Sequence, residues 1–306
     1  MYEELRARVR EALTGPVCSI PTPFRASDDA IDYDAIAKMI DFQIANDFKM
    51  IFLTPGNSHF DILTHVEMAE LAKFVVEYTN RRALVCVTEF NNSTARMKEF
   101  SKYCADIGAD LFLPYNANWG GSCTSETIEA YYLEAAQNMA LLLIYPGRSS
   151  DTAAIPLIEN LMKKTDAVMA IKDDCCNKNS RVMTLKFAER LAIFSGGQKQ
   201  NYLNIWPMGA TGYLSTLGMF RPDLSWRFWK ACQARDLEGM MAVVSGYDMP
   251  YFDLIMKQPG GFDAGIRATM EMFGMGTRYR RLPYRNLTDA EYETFRQGLV
   301  DLKIIK

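Results

Sequence analysis

The amino-acid sequence predicts an α/β protein built as a TIM (β/α)8 barrel with a carboxyl-terminal helical extension. Eight short apolar segments follow one another, and each is succeeded by a longer amphipathic segment, as in repeated strand-helix units. The short segments are apolar throughout, which is typical of a parallel sheet covered by helices. No glycine-rich nucleotide-binding motif follows the first segment, so an open nucleotide-binding sheet is disfavoured.

The eight predicted strands precede residue 220. They are expected at residues 17–20, 50–53, 84–87, 111–113, 141–145, 168–171, 193–195 and 213–215. The connecting helices are expected at residues 33–46, 66–79, 93–107, 125–139, 155–164, 180–190 and 200–208. Eight such units within about 200 residues fit a closed barrel better than an open doubly wound sheet, which usually has fewer strands.

Further helical patterns follow the eighth strand. They cover residues 222–235, 237–257, 265–273 and 289–302. The last of them begins with Thr288 as N-cap and carries Glu291 three residues later, which is the spacing of a capping box. Because no Pro/Gly/Ser-rich linker precedes these helices, we predict one domain. Residues 1–220 form the barrel with a short amino-terminal helix, and residues 221–306 form its closing helix and extension.

Composition excludes several classes of partner. The chain has 306 residues, is 49% hydrophobic and carries a formal net charge of -3, which gives no electrostatic reason to expect nucleic acid or an anionic membrane. No apolar run reaches membrane-spanning length, and the amino terminus lacks the apolar core of a secretory signal. We therefore expect a cytoplasmic protein.

The cysteines and histidines give no sign of a metal centre. Seven cysteines, an odd number, stand mostly among apolar neighbours, so we expect reduced thiols. There is no Cys-x-x-Cys pair, and the only histidines, His59 and His65, have no cysteine near them. The sequence predicts no metal and no nucleotide cofactor.

Lys172 is the leading candidate for a catalytic residue. It directly follows the apolar run at residues 168–171, so it lies where the sixth strand emerges. In a TIM barrel the carboxyl ends of all strands share one face, and active sites lie there. A lysine amine backed by apolar surface can attack a ketone and form a Schiff base, which then acts as an electron sink. The alternative is a solvated lysine after a strand.

Other strand ends supply groups that suit a 2-oxo acid. Tyr145, at the end of the fifth strand, could pass protons to the substrate oxygens, and Arg148 could bind a second anionic group. The turn after the second strand contains Gly56 and Asn57, whose backbone N–H groups could bind a carboxylate. Each group also has a simpler structural explanation. Tyr145 could cap the core, Arg148 could be a surface residue, and Gly56 and Asn57 could form an ordinary turn.

The order of these motifs resembles the dihydrodipicolinate synthase and N-acetylneuraminate lyase family of Schiff-base aldolases, over nearly the whole chain. The matching segments are Pro-Val-Cys-Ser-Ile-Pro-Thr-Pro-Phe at 16–24, Leu-Thr-His-Val-Glu at 63–67, Gly-Ala-Asp at 108–110 with Pro-Tyr at 114–115, Ile-Tyr-Pro-Gly-Arg at 144–148, Ile-Lys-Asp at 171–173, Gly-Ala-Thr-Gly-Tyr-Leu-Ser at 209–215 and Arg-Tyr-Arg-Arg-Leu-Pro at 278–283.

The resemblance implies a role for several residues. Lys172 would be the Schiff-base lysine and Tyr145 the proton-relay phenol. Arg148 would bind substrate, although residues are missing between the tyrosine and the proline of this motif. Tyr213 would stand where the family's backbone carbonyl faces the bound pyruvyl unit. The family is usually homotetrameric, so we expect a homo-oligomer, either a tetramer or a dimer.

The chain departs from the family pattern in its second strand. The family's Gly-Thr-Thr-Gly-Glu turn corresponds to Pro-Gly-Asn-Ser-His at residues 55–59. Gly56 and Asn57 would still bind a carboxylate through their amides, whereas a hydroxyl relay would fall to Ser58 or Thr54.

Two further strand ends also differ. The second tyrosine of the family's Pro-Tyr-Tyr is Asn116, which we include among the substrate-binding candidates. On strand three, Glu89 stands where the family has small residues. Its carboxylate could act as a general acid or base, bind a substrate hydroxyl, or pair with Arg148 or Lys172.

The sequence therefore predicts a lyase, either an aldolase or a dehydratase, that forms a Schiff base with pyruvate or another 2-oxo acid. The changed turn indicates an activity different from that of dihydrodipicolinate synthase itself. Two alternatives stay open. One is a non-catalytic barrel that binds a 2-oxo acid or has a regulatory role. The other is a hydrolase or isomerase that uses the carboxylates of Glu89, Asp173 and Asp174.

Overall fold

The protein folds into a closed barrel of eight parallel strands. A computed structural model describes residues 2–90, 93–115, 121–145 and 154–306. The strands pair in sequence order, and the eighth pairs back with the first. They are β1 Gly15–Ser19, β2 Met50–Phe52, β3 Leu84–Thr88, β4 Leu111–Leu113, β5 Leu141–Ile144, β6 Val168–Asp173, β7 Ala192–Ser195 and β8 Gly212–Leu214. The predicted TIM barrel is confirmed, and every predicted strand overlaps an observed one.

Helices precede, connect and follow the strands. The helix before the barrel and those within it are α1 Tyr2–Ala12, α2 Tyr33–Ala45, α3 His65–Thr79, α4 Thr94–Asp106, α5 Ser125–Ala136, α6 Ala154–Lys164, α7 Lys178–Phe187 and α8 Lys199–Ile205. Those after the last strand are α9 Pro222–Ala234, α10 Leu237–Val243, α11 Met249–Met256, α12 Gly261–Met272 and α13 Asp289–Asp301. The last begins at Thr288 with the predicted capping box.

One predicted helix is interrupted. The single helix expected at residues 237–257 is divided by a π-helical turn, Val244–Asp248, between α10 and α11. Pro250, in the first turn of α11, has no N–H to donate to the preceding turn, which favours a change of hydrogen-bonding pattern there. Asp248, the last residue of the π turn, is buried and binds Lys199 of the barrel. The interruption therefore places a carboxylate against the barrel.

Side chains alternate along the strands between two apolar cores. On β5, Leu141 and Leu143 belong to the outer core between strands and helices, while Leu142 and Ile144 pack with the core inside the barrel. Each strand residue points to the opposite side from its neighbours, because the side-chain period of a strand is two. The position of a residue along its strand therefore decides whether its side chain faces the barrel interior.

Helix α1 closes the amino-terminal end of the barrel. Its Val9 and Ala12 are buried together with the inner core. Arg6 donates to the carbonyl of Val168, the first residue of β6, at 2.8 Å, and Arg10 donates to the carbonyl of Ala188 at 2.6 Å. The strand that carries Lys172 is thus held at its far end by this helix.

The carboxyl-terminal helices pack on the barrel. Arg281 pairs with Glu67 at the start of α3, with 2.6 Å between Nη2 and Oε1. Lys199 Nζ pairs with Asp248 Oδ1 at 2.9 Å. Within the part of the chain that the structure describes, none of the helices combines the length and the apolarity needed to cross a membrane.

Candidate active site

Lys172 lies at the carboxyl-terminal end of the barrel and faces inward. It is the penultimate residue of β6, and its register partners are Ile144 on β5 and Phe194 on β7. Both partners pack with the inner core, so the side chain of Lys172 shares that face. The residue is 8% exposed. An amine in this position is shielded by apolar groups and is open towards the mouth of the barrel, as the sequence predicted.

The direct partner of this amine is Asp174. Lys172 Nζ lies 2.5 Å from both carboxylate oxygens of Asp174. The side chain of Asp174 is 47% exposed, so it borders the open mouth. Gly196 makes room for it, because a Cβ at that position would lie 1.6 Å from Asp174 Oδ1. The sequence analysis considered Asp174 only for the alternative of carboxylate catalysis.

Tyr145 does not share the face of Lys172. Its backbone N–H donates to the carbonyl of Lys172 at 2.8 Å, which continues the ladder between β5 and β6. Its side chain is 5% exposed and packs in the outer core. The residue beside Lys172 on the inner face is Ile144. The structure therefore does not bring the predicted proton-relay phenol to the amine, because Ile144 takes the inward-facing position beside Lys172.

The turn after β2 is held from several sides. The Ser58 hydroxyl donates to the carbonyl of Ile20 at 2.6 Å and accepts from the N–H of Thr54 at 3.0 Å. The Asn57 amide nitrogen donates to Ser19 Oγ at 2.5 Å. Ser58 thus uses its hydroxyl within the fold, which argues against the predicted relay role.

The backbone of the same turn retains donors for a ligand. Ser58 N–H donates to the carbonyl of Thr54 at 3.2 Å, and His59 N–H donates to that of Gly56 at 2.8 Å. The N–H groups of Gly56 and Asn57 donate to no acceptor within the described ranges. Gly56 is exposed, and a Cβ there would meet nothing within 4 Å. These two amides are therefore available to a carboxylate at the mouth.

Arg267 contacts the turn after β2 from its buried side, and no pattern in the sequence had identified this residue. It comes from α12 and is 1% exposed. Its Nη2 donates to the carbonyl of Asn57 at 3.2 Å. Burial lowers the pKa of Arg267 to about 10, with a further contribution from the charge of Arg280, while Asp263 opposes the shift. A buried guanidinium thus stands behind the candidate carboxylate site and adds positive charge there.

His59 is enclosed beside this arginine. It is 1% exposed, and its ring lies 4.7 Å from the ring of Tyr284 between centroids. Burial lowers the pKa of His59, although the nearby carboxylate of Asp61, 3.7 Å from Nδ1, opposes the shift. The imidazole is therefore kept in its neutral form within the fold.

Glu89 and Asp173 point away from Lys172. Glu89 is fully buried and accepts a hydrogen bond from the Tyr131 hydroxyl of α5 at 2.7 Å. Asp173 accepts from the backbone N–H groups of Cys175 and Cys176 at 2.9 and 3.1 Å. Both carboxylates thus lie on the helix side of the sheet. Of the three readings of Glu89, this arrangement is least compatible with an ion pair to Lys172.

Tyr213 is placed by its side chain in the outer core. Its hydroxyl donates to the carbonyl of Ser225 in α9 at 2.6 Å, and the residue is fully buried. Only its backbone can face a substrate, which is the role that the resemblance implies. The other two predicted substrate-binding residues, Arg148 and Asn116, lie outside the described residues.

Further polar side chains share the inner face at the mouth. Ser19 and Thr54 follow the inward-facing Val17 and Phe52 by two residues. Tyr115 packs against the inner core and stacks on Phe90, with 5.3 Å between ring centroids. Counting by two from the apolar strand residues would have found Ser19, Thr54, Tyr115 and Asp174 in the sequence. Arg267 gives no such signal, because it is far from Asn57 along the chain.

In residues 2–90, 93–115, 121–145 and 154–306, no group of three or more histidine, cysteine or acidic side chains is arranged to hold a metal ion.

Fold and site together define a TIM barrel with a buried lysine at the carboxyl end of its sixth strand and, after its second strand, a turn whose Gly56 and Asn57 N–H groups donate to no acceptor within the described residues. The chain belongs to the dihydrodipicolinate synthetase family, whose model matches residues 12–301.

Individual relatives are similar over almost their full length. A 4-hydroxy-tetrahydrodipicolinate synthase from Acetivibrio thermocellus is 22% identical over 299 residues, which cover 95% of this chain and 98% of the relative. The crystal structure of dihydrodipicolinate synthase from Oceanobacillus iheyensis has a TM-score of 0.84 at 20% identity and covers 100% of both chains. A prophage protein of the same family from E. coli K12, solved in complex with pyruvate, has a TM-score of 0.81 at 19% identity and covers 95% of this chain and 99% of that one.

Proposed function

We propose that this protein is a Schiff-base-forming lyase that acts on pyruvate or another 2-oxo acid. The observation that carries the proposal is the inward-facing Lys172, 8% exposed, at the end of β6. Its amine would attack the ketone carbon, and the resulting iminium would accept the electron pair released when a bond at the neighbouring carbon breaks. The prophage relative solved with pyruvate supports a 2-oxo acid as the ligand class.

The strand-two turn supplies the second half of the proposal. The N–H groups of Gly56 and Asn57 would bind the substrate carboxylate as charge-assisted donors. Arg267, through the Asn57 carbonyl, would hold the turn in place and favour negative charge above it. A ligand held by its carboxylate at this turn and by its ketone at Lys172 is bound at two points, which positions the reacting carbon.

Two alternatives lose support from the geometry. A hydrolase or isomerase that uses Glu89, Asp173 and Asp174 together would need all three carboxylates in the mouth. Tyr131 and the backbone N–H groups of Cys175 and Cys176 hold Glu89 and Asp173 on the helix side, which leaves only Asp174 of the three at the mouth. A purely binding barrel has no need of a shielded amine, since a surface lysine would provide the same charge.

Reductive trapping tests the proposal. Borohydride added with pyruvate should reduce the iminium and add the mass of the pyruvyl unit to Lys172, as located by peptide mass spectrometry. Lys172→Ala should abolish the adduct. The matched control is Lys178→Ala, which removes an exposed lysine at the start of α7, six positions after Lys172, and should leave trapping unchanged.

The outcomes separate the functions. Adducts on several lysines in proportion to their exposure would show that trapping is nonspecific. Absence of an adduct with pyruvate and with a panel of longer 2-oxo acids would overturn the proposal. Ligand binding by calorimetry that survives Lys172→Ala, without any turnover, would favour the binding barrel instead.

For the assembly we propose a homo-oligomer. Proteins of this family are usually oligomeric, and one similar structure, with a TM-score of 0.82 at 16% identity, is described as the first monomeric dihydrodipicolinate synthase variant. Apolar side chains on α10 and α11 support an additional contact surface, because Leu237 and Met256 are 63% and 59% exposed. Light scattering across a range of protein concentrations would decide between an oligomer and a monomer.

A further inference from the structure

We propose that Asp174 is the acid-base group that carries protons between Lys172 and the carbonyl oxygen of the substrate. The inference rests on the proposed Schiff-base function and adds the residue that makes the covalent step possible. Formation of an iminium from an amine and a ketone requires proton transfers that a positioned side chain accelerates.

The geometry at the amine carries the inference. Both oxygens of Asp174 lie 2.5 Å from Lys172 Nζ, within the hydrogen-bond reach that a general base requires. Asp174 directly follows β6, two positions after Lys172, and the contact with Nζ places both side chains on the same side of the sheet. Asp174 is therefore next to the reacting atom before substrate arrives.

Asp174 is also open to the substrate. Its side chain is 47% exposed, whereas that of Lys172 is 9% exposed. A carboxylate at the border between the shielded amine and the open mouth can reach both the nitrogen and an oxygen bound to the ketone carbon. Gly196 on the adjacent strand end creates this position, since a Cβ there would lie 1.6 Å from Oδ1 and 2.8 Å from Cγ of Asp174.

Tyr145, Ser58 and Glu89, which the sequence suggested for proton transfer, are committed to structural contacts or face elsewhere. The Tyr145 side chain lies in the outer core. The Ser58 hydroxyl donates to the carbonyl of Ile20, and Glu89 accepts from Tyr131. Within the part of the chain that the structure describes, Asp174 is the acidic side chain in contact with Lys172 Nζ. This contact gives it the role that the sequence assigned to the phenol.

The proton transfers balance around this pair. Lys172 begins as an ammonium with three protons and gives one to Asp174, and the freed lone pair forms the bond to the ketone carbon while the carbonyl electrons move to the oxygen. Asp174 delivers that proton to the oxygen and takes a second one from the nitrogen. It passes the second proton to the hydroxyl, which leaves as water with the electrons of the broken C–O bond. The nitrogen lone pair forms the iminium, and Asp174 is again a carboxylate.

The test is the rate of trapping, measured separately from its final extent. With pyruvate and borohydride, Asp174→Asn should lower the rate of adduct formation on Lys172 by about 100-fold to 10,000-fold, the usual contribution of general acid-base catalysis. The adduct should still accumulate after long incubation, because Lys172 remains. Gly196→Ala should lower the rate as well, since its Cβ displaces the carboxylate.

Chemical rescue distinguishes a catalytic role from a structural one. In Asp174→Ala, added formate should restore part of the trapping rate, because a small carboxylate can occupy the space left beside the amine. The matched control is Asp106→Asn, which removes an exposed, lysine-paired carboxylate 2.7 Å from Lys102 on α4 and should leave the rate unchanged. Circular dichroism would verify that each variant is folded.

Each of the following outcomes either supports or overturns the proposed role of Asp174. Slow trapping with formate rescue supports it. Trapping by Asp174→Asn at the rate of the natural protein would overturn it while leaving the Schiff-base function intact. Slow trapping without rescue, together with an unaffected Gly196→Ala, would also overturn it. Absence of any adduct with the natural protein would overturn both proposals.

Discussion

Ile144 is the strand neighbour of Lys172 on the inner face of the barrel, and Tyr145 points to the opposite face. The phenol that the motif suggested for proton relay is thus separated from the amine by the sheet itself. A one-residue difference in register moves a side chain from one core to the other, because the side-chain period of a strand is two. The chemistry proposed for Lys172 therefore relies on another group.

The first prediction concerns Tyr145. Tyr145→Phe should leave the rate of pyruvate trapping on Lys172 within about threefold of the natural protein, because the hydroxyl does not face the amine. The free energy of unfolding should change by less than about 1.5 kcal/mol, because the aromatic ring that packs in the outer core is kept. Stopped reactions analysed by mass spectrometry and urea denaturation measure the two effects. A hundredfold slower reaction would mean that the phenol takes part.

The second prediction concerns Glu89 and Tyr131. Tyr131→Phe removes a buried hydrogen bond of 2.7 Å between α5 and the end of β3, and Glu89→Gln weakens it because the amide oxygen still accepts but carries no charge. Each should lower the free energy of unfolding by about 1–3 kcal/mol, and the double variant should lose less than the sum because the residues are in contact. The trapping rate should stay within a few-fold. Turnover that is lost in Glu89→Gln but largely kept in Lys172→Ala would instead support carboxylate catalysis.

The third prediction concerns the support of the strand-two turn. Arg267→Met removes the donor to the Asn57 carbonyl and the positive charge behind the candidate carboxylate site. The concentration of pyruvate that gives half-maximal trapping should rise about tenfold, while the maximal rate changes little. Arg280→Met is the matched control, since Arg280 is also 1% exposed but donates to the carbonyl of Arg285. An equal effect of both variants would argue against a specific role of Arg267.

The fourth prediction concerns the ion pair between barrel and extension. Lys199 and Asp248 are 0% and 1% exposed in their side chains, so either one left alone would be a buried, unpaired charge. Lys199→Met and Asp248→Asn should each lower the free energy of unfolding by about 3–5 kcal/mol. Removing Lys102, whose pair with Asp106 is exposed, should cost about 0–1 kcal/mol. Similar losses in both pairs would mean that burial has no effect here.

The fifth prediction concerns His59 and pH. Burial lowers the pKa of His59, with Arg267 acting in the same direction and Asp61 against it. Below about pH 6.5 the His59 imidazole of the unfolded chain therefore binds a proton, whereas the imidazole of the folded protein binds it only at lower pH. The stability difference between the natural protein and His59→Gln should be constant above pH 7 and should decrease as the pH falls below 6.5. Urea denaturation from pH 5 to 8 would measure it, and a pH-independent difference would contradict the shift.

Much of the fold could be predicted because its signals are local. Apolar strands and capped helices are encoded within a few residues, as the capping box at Thr288 illustrates. The position of Lys172 followed from the same patterns, because a residue directly after a buried run lies at a strand end. Asp174 could also have been placed, since residues two apart on a strand share a face.

Other features depend on pairings that a single sequence does not reveal. The direction in which the Tyr145 side chain points depends on the register between β5 and β6, in which Ile144 pairs with Lys172. Arg267 contacts Asn57, 210 positions away in the chain, and neither segment contains a sequence pattern that predicts the contact. The π turn that brings Asp248 to Lys199 likewise depends on tertiary packing. The predicted single domain and cytoplasmic location stay predictions.

Helix α1 connects the amino terminus, which lies far from the mouth, to the strand that carries Lys172. Arg6 holds the first residue of β6 through the Val168 carbonyl, and Lys172 is the fifth residue of the same strand. A tag that displaced α1 would remove this contact at the start of the strand that carries Lys172. Purification tags and immobilisation surfaces are therefore better attached beyond α13, where a disturbance would meet the barrel only through its peripheral helices.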